Sequence, residues 1–334
     1  MRSGLLVMAL LSGCVGPQVI ERAEGRLTPR LTLEQAVMAD GYRLPLRSWS
    51  GPGEPRIVLI GLHGFNDYSR AFEPLAGELA ERGIRTYAVD QRGFGASAQP
   101  GRWHGSLTLA RDLVTLVELV RTRHPKARLY VAGESMGGAV AMLASAQASL
   151  PIDGLVLIAP AVWSRDTMPW YQRLALDAAA GTLPWLKLTG EGLSVRPTDN
   201  DDLLRSLSAD PLVIKATRVD ALWGVTDLMD AARTAAPRLR PPVLLLYGER
   251  DEIIPRRAFV RLLRELPSDR SGIRLVLYRD GWHMLPRDRQ GARVRTDILS
   301  WLTDPAGPIP SGEETPIEGV RPRVLRGERS TQRK

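Results

Sequence analysis

Cysteine is almost absent: Cys14 is the single one in 334 residues. One thiol excludes a disulfide framework and a cysteine-rich zinc site. Histidine is nearly as scarce, with only His63, His104, His124 and His283, which leaves little material for a multinuclear metal centre. Lysine occurs only at 126, 187, 215 and 334, so nearly all of the 45 cations are arginine. The net charge of +8 raises the question of nucleic acid. Yet the arginines are scattered, with no basic run interleaved with aromatics, and no nucleic-acid partner is expected. Attraction to anionic lipid surfaces is compatible with the same charge. No apolar run approaches the ~20 residues of a membrane-spanning helix. With 44% hydrophobic and 25% charged residues, neither a polytopic membrane protein nor a disordered chain fits. At ~150 residues per domain, the length implies two units or one large α/β domain.

The N-terminus has the pattern of an address. Arg2 precedes the apolar run Leu5-Leu6-Val7-Met8-Ala9-Leu10-Leu11, which suits the h-region of a secretory signal. Leu11-Ser12-Gly13-Cys14 resembles the lipobox of bacterial lipoproteins, where the signal is cut before a cysteine whose thiol is acylated. The resemblance implies a signal peptide over 1–13 and a lipid anchor on Cys14; an ordinary signal peptide with an incidental cysteine is the alternative. Several buried acyl chains give stable membrane attachment. Val15 stands where aspartate would retain such a protein at the inner membrane. The resemblance therefore implies the outer membrane, facing the periplasm.

Residues 14–30 read as a linker. Beyond it, short apolar runs at 56–61, 84–89, 128–132, 154–159, 242–247 and 273–278 have the length of buried strands. Amphipathic segments at 71–82, 106–122 and 288–302 alternate with them as helices. This alternation predicts an α/β fold: a mostly parallel central sheet with helices on both faces, in a domain spanning 31–302. Between Pro160 and Pro241 no strand is expected. That stretch, about 161–240, reads as a helical cap over one edge of the sheet. Its aromatics, Trp163, Trp170, Tyr171, Trp185 and Trp223, are expected mostly to pack the cap's own small core. After Asp304 the sequence turns to Pro, Gly, Arg and Glu without periodicity, and 303–334 is expected to be a disordered tail.

The strongest local signal is Gly133-Glu134-Ser135-Met136-Gly137-Gly138, which follows a strand and opens an apolar helix. That is the context of a nucleophile elbow, whose sharp turn needs glycine two residues either side of the serine. The adjoining helix N-terminus offers N–H groups and a positive dipole end to a developing oxyanion. A serine needs a base. Position favours His283, since enzymes built on this elbow run nucleophile, acid, base along the chain. His104 and His124 are expected at the surface. For the acid, Gly248-Glu249-Arg250-Asp251-Glu252 offers three carboxylates after a late strand. Asp251 is selected, with Glu249 and Glu252 expected to be solvated; Asp280 lies too close to His283 in sequence.

Five blocks appear in order: His63-Gly64-Phe65, Asp90-Gln91-Arg92-Gly93-Phe94-Gly95-Ala96-Ser97, the elbow at 133–138, Gly248-Glu249-Arg250-Asp251, and His283-Met284. Together they resemble the α/β-hydrolase superfamily, and within it the monoacylglycerol lipase and lysophospholipase group. The resemblance spans roughly 40–302. It implies Ser135 as nucleophile, Asp251 as acid and His283 as base, with the backbone N–H groups of Phe65 and Met136 as oxyanion hole. It also implies structural roles for His63 and Asp90. Glu134 departs from the pattern, because this group commonly has histidine beside the nucleophile.

The implied activity is serine hydrolysis of carboxylic esters through an acyl-enzyme, with neither metal nor organic cofactor. The resemblance points to monoacylglycerols or lysophospholipids, a lipid-like substrate suited to a cap rich in Leu, Trp and Met. Small soluble esters, acyl transfer or peptide cleavage by the same triad are the alternatives, and a non-catalytic binding lipoprotein is the rival outside enzymology. Oligomeric state is not legible in the sequence.

Overall fold

The computed structural model describes residues 16–190, 195–240 and 242–320. The expected signal peptide and Cys14 lie outside these residues. An antiparallel edge, not foreseen from the apolar pattern, is built by β1 (Arg30–Leu31), β2 (Gln35–Val37) and β3 (Arg43–Trp49). The chain then alternates through β4 (Ile57–Leu62), α1 (Glu73–Glu81), β5 (Arg85–Val89), α2 (Ser106–Arg123), β6 (Arg128–Glu134), α3 (Met136–Gln147) and β7 (Gly154–Ile158). An insertion follows with α4 (Trp170–Thr182), β8 (Lys187–Thr189), α5 (Asp201–Ala209), β9 (Ala216–Arg218) and α6 (Val219–Ala235). The main fold resumes with β10 (Val243–Gly248), α7 (Arg256–Glu265), β11 (Ile273–Tyr278) and α8 (Gly291–Thr303).

Nine strands form one sheet in the order β1-β2-β3-β5-β4-β6-β7-β10-β11. From β5 to β11 every pairing is parallel, while β3 joins β5 antiparallel. The expectation of a mostly parallel sheet with helices on both faces is met. The period-two alternation of strand side chains explains why these runs are apolar throughout. Val58, Ile60 and Leu62 of β4 enter one core, shared with α2, α3 and α7. Ile57 and Leu59 enter the other, shared with α1 and α8.

Parallel pairing sends β4, β6, β10 and β11 out at the same edge of the sheet, and the loops that leave them gather there. The insertion lies in the interval expected for a cap, but it is not wholly helical. β8 and β9 form a small antiparallel pair within it, Lys187 opposite Arg218. Its aromatics also differ from expectation. Trp170, Tyr171 and Trp185 are 75%, 57% and 49% exposed, so they pack no cap core. Trp223 lies under the Arg165 guanidinium, 4.9 Å from its ring centre.

The expected disordered tail is a second correction. Residues 304–320 lie along β11, where Thr315 N–H donates to Leu275 O at 2.8 Å and Leu277 N–H donates to Glu313 O at 3.2 Å. Ile309 and Ile317 are buried, and the Arg274 guanidinium forks onto the Glu314 carboxylate at 2.7 and 2.6 Å. This segment covers the edge that β11 would otherwise expose. It lacks periodicity because it packs as an irregular strap, which leaves no pattern in the sequence. Residues 321–334 lie outside the described part.

Candidate active site

Ser135 sits between β6 and α3 with φ 52° and ψ −114°, a left-handed backbone that only glycine adopts without cost. Surrounding bonds hold the strain: Ser135 N–H donates to Ile158 O at 2.9 Å, and Ser135 O accepts from Ala139 at 3.1 Å and Ala161 at 2.9 Å. The flanking glycines have a steric reason. A Cβ on Gly133 would collide with the Gly137 carbonyl, and one on Gly137 with the Leu62 carbonyl. Met136 N–H is the first of α3, among the N–H groups with no acceptor inside the helix.

The turn after β4 passes over this elbow. A Cβ on Gly64 would lie 3.4 Å from the Ser135 Cβ, so Phe65 begins beside Ser135. Beneath it, His63 is fully buried. Its Nε2 accepts from Gln91 N–H at 2.9 Å, which leaves Nδ1 to donate to Gly64 O at 2.8 Å. Both ring nitrogens are therefore occupied in holding the turn. Asp90 likewise braces loops, accepting from Ser69 N–H and Ala96 N–H, each at 2.9 Å.

Asp251 follows β10 and His283 follows β11. His283 Nδ1 donates to Asp251 Oδ2 at 2.8 Å, while Asp251 Oδ1 accepts from Ile253 N–H at 2.8 Å and Ile254 N–H at 2.9 Å. The carboxylate is thus fixed before the histidine meets it. Burial works against a charged imidazole, but the charge and hydrogen bond of Asp251, with the nearby charge of Glu134, raise the His283 pKa above its ordinary value. The other two carboxylates of this loop have different partners. Glu249 pairs with Arg256 at 3.0 Å, and Glu252 accepts the backbone N–H of Arg196 at 2.7 Å.

Ser135, Phe65, Met136, Asp251 and His283 therefore all lie at the edge where the parallel strands end. Among the described residues, the Ser135 hydroxyl makes no hydrogen bond to His283. Nucleophile–base contacts are often long before substrate tightens them.

Two histidines break with expectation. His104 and His124 are buried, not at the surface. His124 shares a 2.9 Å hydrogen bond with the Tyr87 hydroxyl. His104 packs edge-on against Tyr42, and burial with the Arg92 charge lowers its pKa to about 4.

Sequence reading also missed two partners of the site. Arg287, on the loop of His283, is buried between Glu134 and Asp67, at 2.6 and 2.8 Å. Asn66 has φ 65° beside Phe65; its amide donates to Thr217 Oγ1 at 2.6 Å and its carbonyl accepts from Ile214 N–H at 3.0 Å. A lone arginine or asparagine in a loop carries no periodic signal, so nothing in the sequence marked them.

The family model described as serine aminopeptidase, S33 (Hydrolase_4) matches residues 53–290. The chain belongs to this family. Monoglyceride lipase from Rattus norvegicus is 28% identical over 283 residues, covering 82% of this chain and 91% of that enzyme. Monoacylglycerol lipase from Mycolicibacterium smegmatis is 27% identical over 270 residues, covering 78% and 93%. Among solved structures, a soluble variant of monoglyceride lipase from Saccharomyces cerevisiae superposes with a TM-score of 0.68 at 21% identity, covering 85% of this chain and 98% of that one. Monoacylglycerol lipase from Paleococcus ferrophilus superposes at 0.64 with 24% identity, covering 78% and 98%. At these identities the structural likeness speaks for the α/β-hydrolase fold. This Hydrolase_4 protein, with its monoglyceride lipase homologues, is a serine ester hydrolase of lipase-like kind.

Proposed function

We propose that this Hydrolase_4 enzyme cleaves monoesters of lipid type, monoacylglycerols or lysophospholipids, by a Ser135–His283–Asp251 triad. The observation that carries the reading is the Asp251–His283 hydrogen bond at the sheet edge that also holds the strained Ser135. Ser135 Oγ attacks the ester carbonyl carbon as its proton passes to His283 Nε2, and Asp251 stabilises the resulting imidazolium. The N–H groups of Phe65 and Met136 meet the tetrahedral oxyanion, an interaction worth on the order of 10²–10³ in turnover per donor. Collapse breaks the ester C–O bond, and His283 returns its proton to the departing alcohol. Water then attacks the acyl-enzyme by the same route, which releases the carboxylic acid and restores the serine hydroxyl.

The lipid character rests on the named relatives and on the cap. Trp170, Tyr171, Leu174, Trp185, Leu186 and Leu188 expose apolar surface there, which suits an acyl chain. A panel of esters graded by chain length and headgroup tests this reading. Higher kcat/KM for long-chain monoesters supports it, and a preference for short soluble esters, or acyl transfer in place of acid release, overturns it.

The same proposal includes the membrane. Residues 1–13 act as a lipoprotein signal and Cys14 carries the acyl anchor, at the outer membrane facing the periplasm. Its support is the Leu11-Ser12-Gly13-Cys14 pattern followed by Val15. Cys14→Ser should abolish lipid labelling and release the protein from membranes; unchanged attachment refutes the anchor.

A further inference from the structure

Three loops must keep their spacing for the proposed triad to work: the elbow after β6, the turn after β4 and the imidazole loop after β11. One side chain touches all three. Arg287 belongs to the imidazole loop, four residues beyond His283. Its Nη2 donates to Glu134 Oε1 at 2.6 Å, and its Nη1 lies 2.8 Å from Asp67 Oδ2. Glu134 is the residue before the nucleophile. Asp67 lies two residues beyond Phe65 and accepts from Tyr68 N–H through its other oxygen at 2.8 Å. All three side chains are at most 7% exposed. The Glu134 carboxylate also lies 4.0 Å from the point a Cβ on Gly64 would occupy, directly under the turn.

Stability does not account for such a group. Burying two carboxylates and a guanidinium costs several kcal/mol per ion, and well-packed apolar side chains would often hold the fold as well. What an ion group adds is geometry. A guanidinium is planar and directional; here it donates a hydrogen bond to Glu134 and meets Asp67 as an ion pair.

We propose that the buried Glu134–Arg287–Asp67 group is a positioning device that sets the nucleophile elbow, the turn after β4 and the imidazole loop at their working separation. This deepens the triad reading given above and rests on it. Glu134, bonded to Arg287 at 2.6 Å, becomes the member that ties the elbow to the base loop. It also acts at a distance on the base. The charged groups facing the His283 imidazole are Asp251 from the loop after β10, Glu134 from β6 and Arg287 from its own loop. Of these, Glu134 favours the imidazolium and Arg287 opposes it.

The test compares Glu134→Gln, Arg287→Lys and Arg287→Met in the full chain, each with a melting curve and the pH profile of kcat/KM. A chromogenic ester is the substrate, and a fluorophosphonate probe, which phosphonylates a reactive serine with loss of fluoride, reports on Ser135. Arg287→Met should lower kcat by about 10² while KM moves far less, the cost typical of a small misplacement of reacting groups. Arg287→Lys should restore part of that loss, since one ammonium reaches a single carboxylate. Glu134→Gln is nearly isosteric, and its amide oxygen can still accept from Arg287. It should lower kcat by about tenfold and move the acid limb to lower pH, because a negative charge near the imidazole is lost. The limb reports the lost charge, while a fall in kcat with little change in KM reports the positioning; a merely structural role would lower the melting temperature without that split. If Glu134→Gln is folded with kcat within about twofold of the parent, the proposal is overturned. Should Arg287→Met fail to fold, Glu134→Gln alone decides. A parent enzyme that the probe fails to label, or labels equally after Ser135→Ala, would instead refute the triad itself.

Discussion

The side-chain amide of Asn66 donates to the hydroxyl of Thr217 at 2.6 Å, joining the turn after β4 to the cap across 151 residues of chain. The cap therefore grips the segment that begins at Phe65, the proposed oxyanion donor. A second grip lies on the base loop, where His283 N–H and Met284 N–H donate to Pro197 O at 3.1 and 3.0 Å. The insertion after β7 is thus bonded both to the turn after β4 and to the loop of His283, so variants at these contacts should alter turnover.

Thr217→Val tests the first grip. It removes the hydroxyl at nearly constant shape and leaves the half-buried Asn66 amide without its acceptor, at a cost of about 1 kcal/mol, the low end of the range for a lost buried partner. Denaturant unfolding should show that loss, and kcat should fall more than KM changes. Equal stability with normal kcat would show that the cap does not support the turn.

Asp251→Asn should leave the fold intact and reduce turnover by about 10³–10⁴. Geometry gives the reason. Asp251 Oδ1 is held by the N–H groups of Ile253 and Ile254, so an asparagine keeps its oxygen there and turns its amide toward His283 Nδ1. Two donors then face each other and the imidazole takes the wrong tautomer. Glu249→Gln and Glu252→Gln should be nearly silent; a large loss in either would move the acid to that carboxylate.

The pH profile follows from His283. As the proposed general base it must be neutral, and against the effect of burial the neighbouring carboxylates raise its pKa above the ordinary 6.5. The acid limb of kcat/KM should accordingly lie above that value, with activity lost as pH falls through it. The same shift has the opposite sign for stability. The imidazolium–Asp251 pair contributes fully below the unfolded pKa, and that contribution fades as pH rises through the folded one. An acid limb at or below 6.5 would contradict the pairing.

Removing everything after Thr303 should destabilise the protein. Ile309 and Ile317 would lose their burial, at about 1.5–3 kcal/mol for each side chain. The β11 edge would also be uncovered, and open edges recruit other chains. A lowered melting temperature with increased light scattering is expected. An unchanged melting temperature would show that the strap along β11 contributes little.

Much of this molecule was legible in order along the chain. The six apolar runs from 56 to 278 became the parallel strands, because a strand buried on both faces is apolar at every position. Ser135 was legible because the elbow needs glycine at 133 and 137 for steric reasons local to the turn. Asp251 was legible only as one of three carboxylates, and its hydrogen bond to His283 separates it from Glu249 and Glu252. The antiparallel edge at 30–49 and the β8–β9 pair escaped notice, being short and partly polar.

The sequence by itself therefore determined the strand and helix rhythm, and the elbow with Ser135 at its tip, since each depends on neighbours a few residues away. Tertiary structure alone decided which carboxylate meets His283, that residues 304–320 lie along β11, that His104 and His124 are interior, and that Arg287 lies between Glu134 and Asp67. Those outcomes rest on contacts between segments distant in the chain. A polar side chain carries no periodicity to report its eventual partner, and only the closing of the sheet edge brings the partners within bonding distance.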